Sequence, residues 1–359
     1  MKFVVAKRCN ILGSGLGNEM IPWAKGYIAS QILGARLIGP SWGLNGRRYY
    51  RNFGTSRLDF IAEEIIRRLP HHDFTDEDFD AMGTDDFAEA FSKWSQAKGL
   101  LKRGNFVVVV DSMYWGYPAV RSAREFLRMQ LLKSKGVAEH VFSVTSKQDS
   151  TKLQVAVHLR LGSDFSKTSV GENIRGKANV QIPLEWYISV CNEIRTALDG
   201  NCEFRIYSDI RSDGFRQMVE LFNPGQEELA GLTECSDLVL MSLADLRVCS
   251  VSSYSTAACF LSKGPYIWYE AALEYERGFY SSPFKMPGIR RTLTQSHEKI
   301  IEGLGSRSEN SESFRGWPIA SSSGLPSGLA AQLRRTVDQK QKACDLLHYG
   351  VVPDWALTK

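Results

Sequence analysis

The sequence predicts an α/β protein built on parallel sheets, and three observations carry that expectation. From about Val155 onward, short β-type runs alternate with segments of helical periodicity, the signature of strand-helix-strand units with right-handed crossovers. The chain has 359 residues, more than the roughly 250–300 at which a single core stops growing, so two domains are expected. Apolar residues make up 43% and charged residues 23%, the balance of a folded chain rather than a disordered one.

Taken in order, "KFVVA" reads as the first strand, and "ILGSGLGNEM" leads into a helix carrying Ile21, Ala24, Ile28 and Ile32 at helical spacing. Pro22 is tolerated only in a first turn, which places the helix start close to Asn18. A polar stretch containing "GRRYYRNFGTSR" and "TDEDFDAMGTDDF" reads as irregular. "FVVVVDS" from Phe106 is the next strand, and a helix is expected from about Pro118 to Leu132.

The second half is more regular. Val155 to Leu161 is read as a strand, Pro183 to Leu198 as a helix, and "EFRIYSD" as a strand. A helix follows near Phe215 to Phe222, then a strand at "RVCSV", a helix opening at "SSYSTAACFL" and a strand "PYIWY". A Ser- and Gly-rich segment precedes a last helix with Leu329, Leu333, Val337, Cys344 and Leu347 on its apolar stripe.

Composition also excludes some classes. A formal net charge of +4 is small for this length, so no nucleic-acid partner is expected. No apolar run reaches the roughly 18 residues of a membrane span, and "MKFVVAKRCN" does not read as a signal peptide. Seven cysteines without a CxxC pair suit a reducing compartment, and the expected location is cytoplasmic. The histidines at His71 and His297 lack the spacing of a metal site, and no metal is expected.

Three stretches can carry chemistry. In "VAVHLRLGSDF", the period of two puts His158 and Arg160 on one face at the carboxyl end of a strand, where open parallel sheets bind ligands. An arginine there can hold an anion through its planar fork, or simply pair with a carboxylate such as Asp164. In "VSSYSTAACFL", Ser252 and Ser253 can cap a helix or present donors to a phosphate. In "GSGLGNE", Gly13, Gly15 and Gly17 allow close backbone approach before a helix start. The spacing is GxGxG, and Gly39 and Pro40 stand where a dinucleotide fingerprint needs an acid, which disfavours hydride transfer. "DFD" from Asp78 reads as a solvated helix start, and "RRYYR" from Arg47 as a solvated or acceptor-side loop.

Together these motifs resemble the GDP-fucose-dependent fucosyltransferases, the superfamily that includes the protein O-fucosyltransferases and the α1,2- and α1,6-fucosyltransferases. "GLGNE" is similar to their amino-terminal motif, "VHLRLGSD" to their H-x-R-x-G-[ST]-D motif, and "ADLRVCSVSSYS" to their later serine-rich motif. "IYSD", ending at Asp209, occupies the place of a further family strand. Order and separation agree over roughly residues 10 to 270. At the position after Arg160, where several members carry a second arginine, this chain has Leu161, as in the protein O-fucosyltransferase branch.

The resemblance implies a GT-B fold of two Rossmann-like domains with a cleft between them. The first domain, on the acceptor side, would span 1–149 and be joined by the terminal helix at about 327–359. The second, for the GDP-sugar, would span 150–326. It implies an inverting, metal-independent transfer of fucose or a related sugar from GDP to a hydroxyl acceptor, whether glycan, small natural product or protein. No cofactor is implied beyond the GDP-sugar co-substrate. Arg160 then corresponds to the arginine on the diphosphate, and His158, Asp209, Asp245, Ser252, Ser253 and Tyr254 to nucleotide and sugar contacts. Gly15, Gly17 and the catalytic Asn18 correspond to the amino-terminal loop at the donor. Asp164, Glu172 and Asp209 are open as the general base. A different nucleotide sugar, or a catalytically silent nucleotide-sugar-binding protein, remain the alternatives.

Overall fold

The computed structural model describes residues 1–6, 14–42, 46–110, 113, 116–169, 172, 174, 179–226, 234–272, 274–276, 279–281, 316–320 and 324–348. Gly13 and His297 lie outside them, as does the side chain of Leu347. The chain divides into two compact units. One comprises Met1–Phe142, Gly231–Ser242 and Thr256–Ser262, and the other Ser143–Ala230, Leu243–Ser255 and Lys263–Lys359.

The first unit holds β1 (Lys2–Ala6), α1 (Leu16–Leu33), β2 (Arg36–Ile38), α2 (Tyr50–Phe53), α3 (Arg57–Arg67), β3 (His72–Phe74), α4 (Asp76–Ala81) and α5 (Phe87–Ala97). These are followed by β4 (Phe106–Val110), a 3₁₀ segment Tyr117–Ala123, α6 (Arg124–Lys133) and α7 (Val137–Thr145), the last crossing into the second unit. Its four strands run parallel in the order β2-β1-β4-β3. One face of the sheet receives α1 so closely that a Cβ at Gly26 would lie 2.7 Å from the Ala6 Cβ, so a side chain there would force helix and strand apart. The other face is a small core of Val5, Val107 and Val109, covered in part by Ile66 of α3.

Two expectations change here. The helix α1 begins at Leu16, earlier than expected, and carries Pro22 inside it. The region from 46 to 105, expected to be irregular, forms four helices and a strand. Its apolar signal comes from Phe74, Phe79, Phe87, Phe91 and Trp94, aromatic rings that meet edge-on or tilted in one cluster. Rings drawn from two helices and a strand leave no single periodicity to read.

The second unit holds β5 (Leu153–Leu159), α8 (Leu184–Ala197), β6 (Cys202–Ser208) and α9 (Asp213–Phe222). Next in the chain come α10 (Glu234–Leu243), which groups mainly with the first unit, and β7 (Leu246–Val248). Then follow α11 (Ser253–Leu261), divided between the units after Ser255, β8 (Tyr266–Tyr269), the antiparallel pair β9 (Glu274–Glu276) and β10 (Phe279–Ser281), β11 (Gly316–Ile319) and α12 (Ser327–His348). Five strands form a parallel sheet in the order β11-β8-β7-β5-β6. Leu153, Val155, Val157 and Leu159 of β5 pack with Trp186, Val190 and Ile194 of α8 and Phe215, Met218 and Phe222 of α9. Burial of these side chains, at roughly 1.5–3 kcal/mol each, is the main term holding this layer to the sheet.

The terminal helix corrects another expectation. Leu329, Leu333 and Val337 of α12 join the core of the second unit, so this helix does not leave for the first. Among the described residues, no helix is long and apolar enough to cross a membrane.

Candidate functional site

In each unit the strand order reverses once. In the second sheet β6 lies on one side of β5 and β7 on the other, so the connections leaving β5 and β7 diverge at their carboxyl ends. Such a switch point opens a crevice at the end of a parallel sheet. The residues following both strands are the ones singled out from the sequence.

β5 ends at Leu159, which makes Arg160 the first residue of the loop. The guanidinium is held on three sides. Nη2 donates to Asp164 Oδ2 at 2.9 Å, Nη1 lies 3.2 Å from Asp209 Oδ2, and the group sits 4.5 Å from the centre of the Phe165 ring. Its side chain is only 18% exposed. Arg160 Nε has no hydrogen-bond partner among the described residues. The carboxylate reading and the anion reading are thus compatible: the two acids fix the plane of the fork through Nη1 and Nη2, and more N–H donors remain than these two contacts use.

Asp209, at the end of β6, does more than face the arginine. Its Oδ1 accepts the Leu161 N–H at 2.8 Å and its Oδ2 the Gly162 N–H at 3.0 Å. It therefore fastens the loop after β5 to β6. With both oxygens engaged, it is poorly placed to serve as a general base, because taking up a proton would compete with those bonds. Gly162 is required by the same arrangement: a Cβ there would lie 2.4 Å from Asp209 Oδ2 and 2.6 Å from Asp164 Oδ1.

Sequence reasoning missed Gln181. Its Nε2 donates to the carbonyls of Leu161, Gly162 and Phe165 at 3.2, 3.3 and 3.0 Å, clamping the loop through its carbonyls as Asp209 does through its N–H groups. No local pattern marks it, since it follows the loop by some twenty residues. Glu172 accepts the Ser169 N–H at 3.1 Å, and Asp164 is 59% exposed.

His158 is buried on the face that meets α11. Its Nδ1 lies 2.8 Å from Ser255 Oγ and 3.0 Å from Ser250 Oγ, and its ring lies 5.2 Å from that of Tyr254. Burial lowers its pKa to about 3; the nearby Asp209 raises it and Arg160 lowers it, by smaller amounts. The ring is neutral at physiological pH. Ser252 caps α11 by accepting the Ser255 N–H at 3.2 Å, and Ser250 Oγ donates to Ser252 Oγ at 3.2 Å. Ser253 opens the first turn of α11, where backbone N–H groups point along the helix axis toward the end of the sheet.

Asp245 is not part of this group. It precedes β7, and its Oδ2 accepts the Gln154 N–H at 2.8 Å and pairs with Lys340 at 2.8 Å. That is the amino end of the sheet, about 20 Å along β5 from Arg160 at roughly 3.3 Å per residue. There its carboxylate ties β5, β7 and α12 together.

In the first unit the reversal falls between β1 and β4, and Gly15, which follows β1, caps α1 without a side chain. Among the described residues, a Cβ at Gly15 would meet nothing within 4 Å. Gly17 lies in the first turn, where its carbonyl accepts the Tyr117 hydroxyl proton. Asn18 sits in the same turn, half-buried. In "RRYYR", expected to be a solvated or acceptor-side loop, the three arginines are exposed but Tyr49 is buried, and its hydroxyl accepts the Leu16 N–H at 2.8 Å. The "DFD" acids are indeed at a helix start, Asp78 closing a reciprocal capping box with Thr75. Among the described residues, no group of three His, Cys, Asp or Glu is placed to hold a metal ion.

No protein-family profile matches the chain, and no curated protein matches it. Solved structures do resemble it. A NodZ α-1,6-fucosyltransferase soaked with GDP-fucose superposes with a TM-score of 0.43 at 14% identity, covering 73% of this chain and 93% of the other. The Bradyrhizobium fucosyltransferase NodZ gives 0.42 at 15% identity, covering 73% and 94%. A mutant of Arabidopsis thaliana FUT1 in complex with GDP gives 0.41 at 12%, covering 74% and 70%.

Proposed function

We propose that the protein is an inverting, metal-independent glycosyltransferase of the GT-B type that moves fucose, or a related sugar, from GDP to a hydroxyl acceptor. The observation that carries this reading is the convergence at one switch point: Arg160, oriented by two acids and partly exposed, the first turn of α11, and the neutral, hydroxyl-lined His158. The match of "VHLRLGSD" and "VSSYS" to the fucosyltransferase motifs supports the identity of the donor.

The chemistry follows from charge. Breaking a glycosyl–phosphate bond moves an electron pair onto the leaving diphosphate, so negative charge grows there as the reaction proceeds. A cation already held in place stabilises that charge more in the transition state than in the ground state, and needs no reorganisation. Arg160 is so held, by Asp164, Asp209 and the Phe165 ring. The start of α11 would receive phosphate oxygens, and neutral His158 adds no competing charge. Of the three carboxylates considered as base, Asp164 and Glu172 remain and Asp209 does not. Gly15, Gly17 and Asn18 are proposed as further donor contacts on the strength of the "GLGNE" resemblance alone.

A melting-temperature series with GDP, UDP and TDP tests the donor. Stabilisation by GDP is expected, and stabilisation by UDP alone would overturn it. Release of GDP from GDP-fucose in the presence of varied hydroxyl acceptors separates a transferase from a silent binder.

A further inference from the structure

Helix α3 is built against the usual amphipathic rule. Its inner side packs Ile66 on the small core of Val5, Val107 and Val109, and also buries Glu63, whose carboxylate accepts the Ser41 N–H at 2.7 Å. Its outer side carries Leu58, Ile61, Ile65 and, in the turn that follows, Leu69, which are 75%, 50%, 58% and 43% exposed. At 100° per residue the three on the helix fall within an arc of about 60°. Scattered exposed aliphatics need no explanation, but a continuous stripe on one helix does.

The charges around the stripe indicate what covers it. Arg57 and Arg68, both exposed, border it at the two ends of the helix and form no ion pair among the described residues. The acids of the helix are engaged elsewhere: Asp59 closes the capping box with Ser56, Glu64 pairs with Arg67 at 2.7 Å, and Glu63 is buried. The outer face is therefore apolar in the middle and cationic at both ends. A second copy of the chain is a poor occupant. Whether the two helices ran parallel or antiparallel, a twofold pairing of the stripe on itself would set arginine against arginine. A convex ridge with cationic ends matches a fluid anionic surface, which closes around it and supplies the opposite charge.

We propose that the outer face of α3 docks on an anionic lipid surface, with Leu58, Ile61, Ile65 and Leu69 entering the headgroup boundary and Arg57 and Arg68 meeting the lipid charge. This is peripheral binding through one short helix, and it is independent of the donor chemistry above. The test is sedimentation of the full chain with vesicles of phosphatidylcholine alone or of equal parts phosphatidylcholine and phosphatidylglycerol. Binding is expected to the mixed vesicles only, weakening as salt is raised. The double variant Ile61→Gln/Ile65→Gln is expected to bind about tenfold more weakly or worse, and Arg57→Gln/Arg68→Gln about fivefold more weakly for each charge removed. The second variant leaves the stripe intact and decides the matter if the first melts early. Failure of the native chain to bind either vesicle, or binding untouched by both variants, overturns the proposal. So does a concentration-dependent dimer that Ile61→Gln/Ile65→Gln abolishes, since the stripe would then belong to a second copy.

Discussion

The two ends of the second sheet carry similar residues put to different use. At the amino end, Arg247 is fully buried and donates to the carbonyls of Ala244 and Pro265 at 2.7 Å each, while Asp245 ties Gln154 and Lys340. At the carboxyl end, Arg160 is held by two acids and a ring, and its side chain stays 18% exposed. An arginine whose fork is spent on backbone carbonyls is a structural part. One that is oriented by acids and partly open to solvent is pre-set for an anion.

The difference can be broken most sharply at Arg160. Replacing it by Ala should lower transfer from GDP-sugar by about 10²–10³-fold with little change in melting temperature, measured as kcat/KM for GDP release. Retained turnover would erase the distinction between the two ends. Asp209→Ala comes next. The Leu161 and Gly162 N–H groups lose their acceptor, which should destabilise the fold by about 1–3 kcal/mol in a urea titration and loosen donor binding as well.

His158 sharpens the contrast through pH. In the folded protein it takes up a proton only near pH 3, whereas in the unfolded chain it does so at about 6.5. Between those values the unfolded state binds the extra proton, so stability falls as pH drops through that window. At pH 5 the loss should be about 2 kcal/mol relative to neutral pH, and His158→Gln should remove that slope, as read from urea midpoints at a series of pH values. The smallest effect is expected at the amino end. Asp245→Ala should cost about 1 kcal/mol of stability and leave GDP affinity unchanged; a large loss of affinity would return Asp245 to the nucleotide site.

Much of this organisation was legible in the residues. The strand expected from Val155 to Leu161 is present as β5, although it ends at Leu159 and leaves Arg160 to open the loop, and Ser252 caps a helix, one of the two uses its position offered. Other features were hidden for physical reasons. Gln181 acts on a loop some twenty residues earlier, and Gly162 is required by a carboxylate from another strand, so neither leaves a local pattern. Asp245 sits beside a motif in sequence but at the opposite end of a strand in space. The aromatic cluster around Phe74 joins three elements and therefore shows no period.

By itself the sequence determined the fold class, the alternation of strand and helix in the second half, and the pair of side chains at the end of β5, because these follow from periodicity within a few residues. Only the tertiary structure decided that Arg160 is clamped by Asp164 and Asp209, that Asp245 stands apart, that the last helix stays with the second unit, and that α3 turns its aliphatic stripe outward. Those outcomes depend on which strand lies beside which, and hydrogen bonds reaching across dozens of residues are formed only once the sheet has set that order.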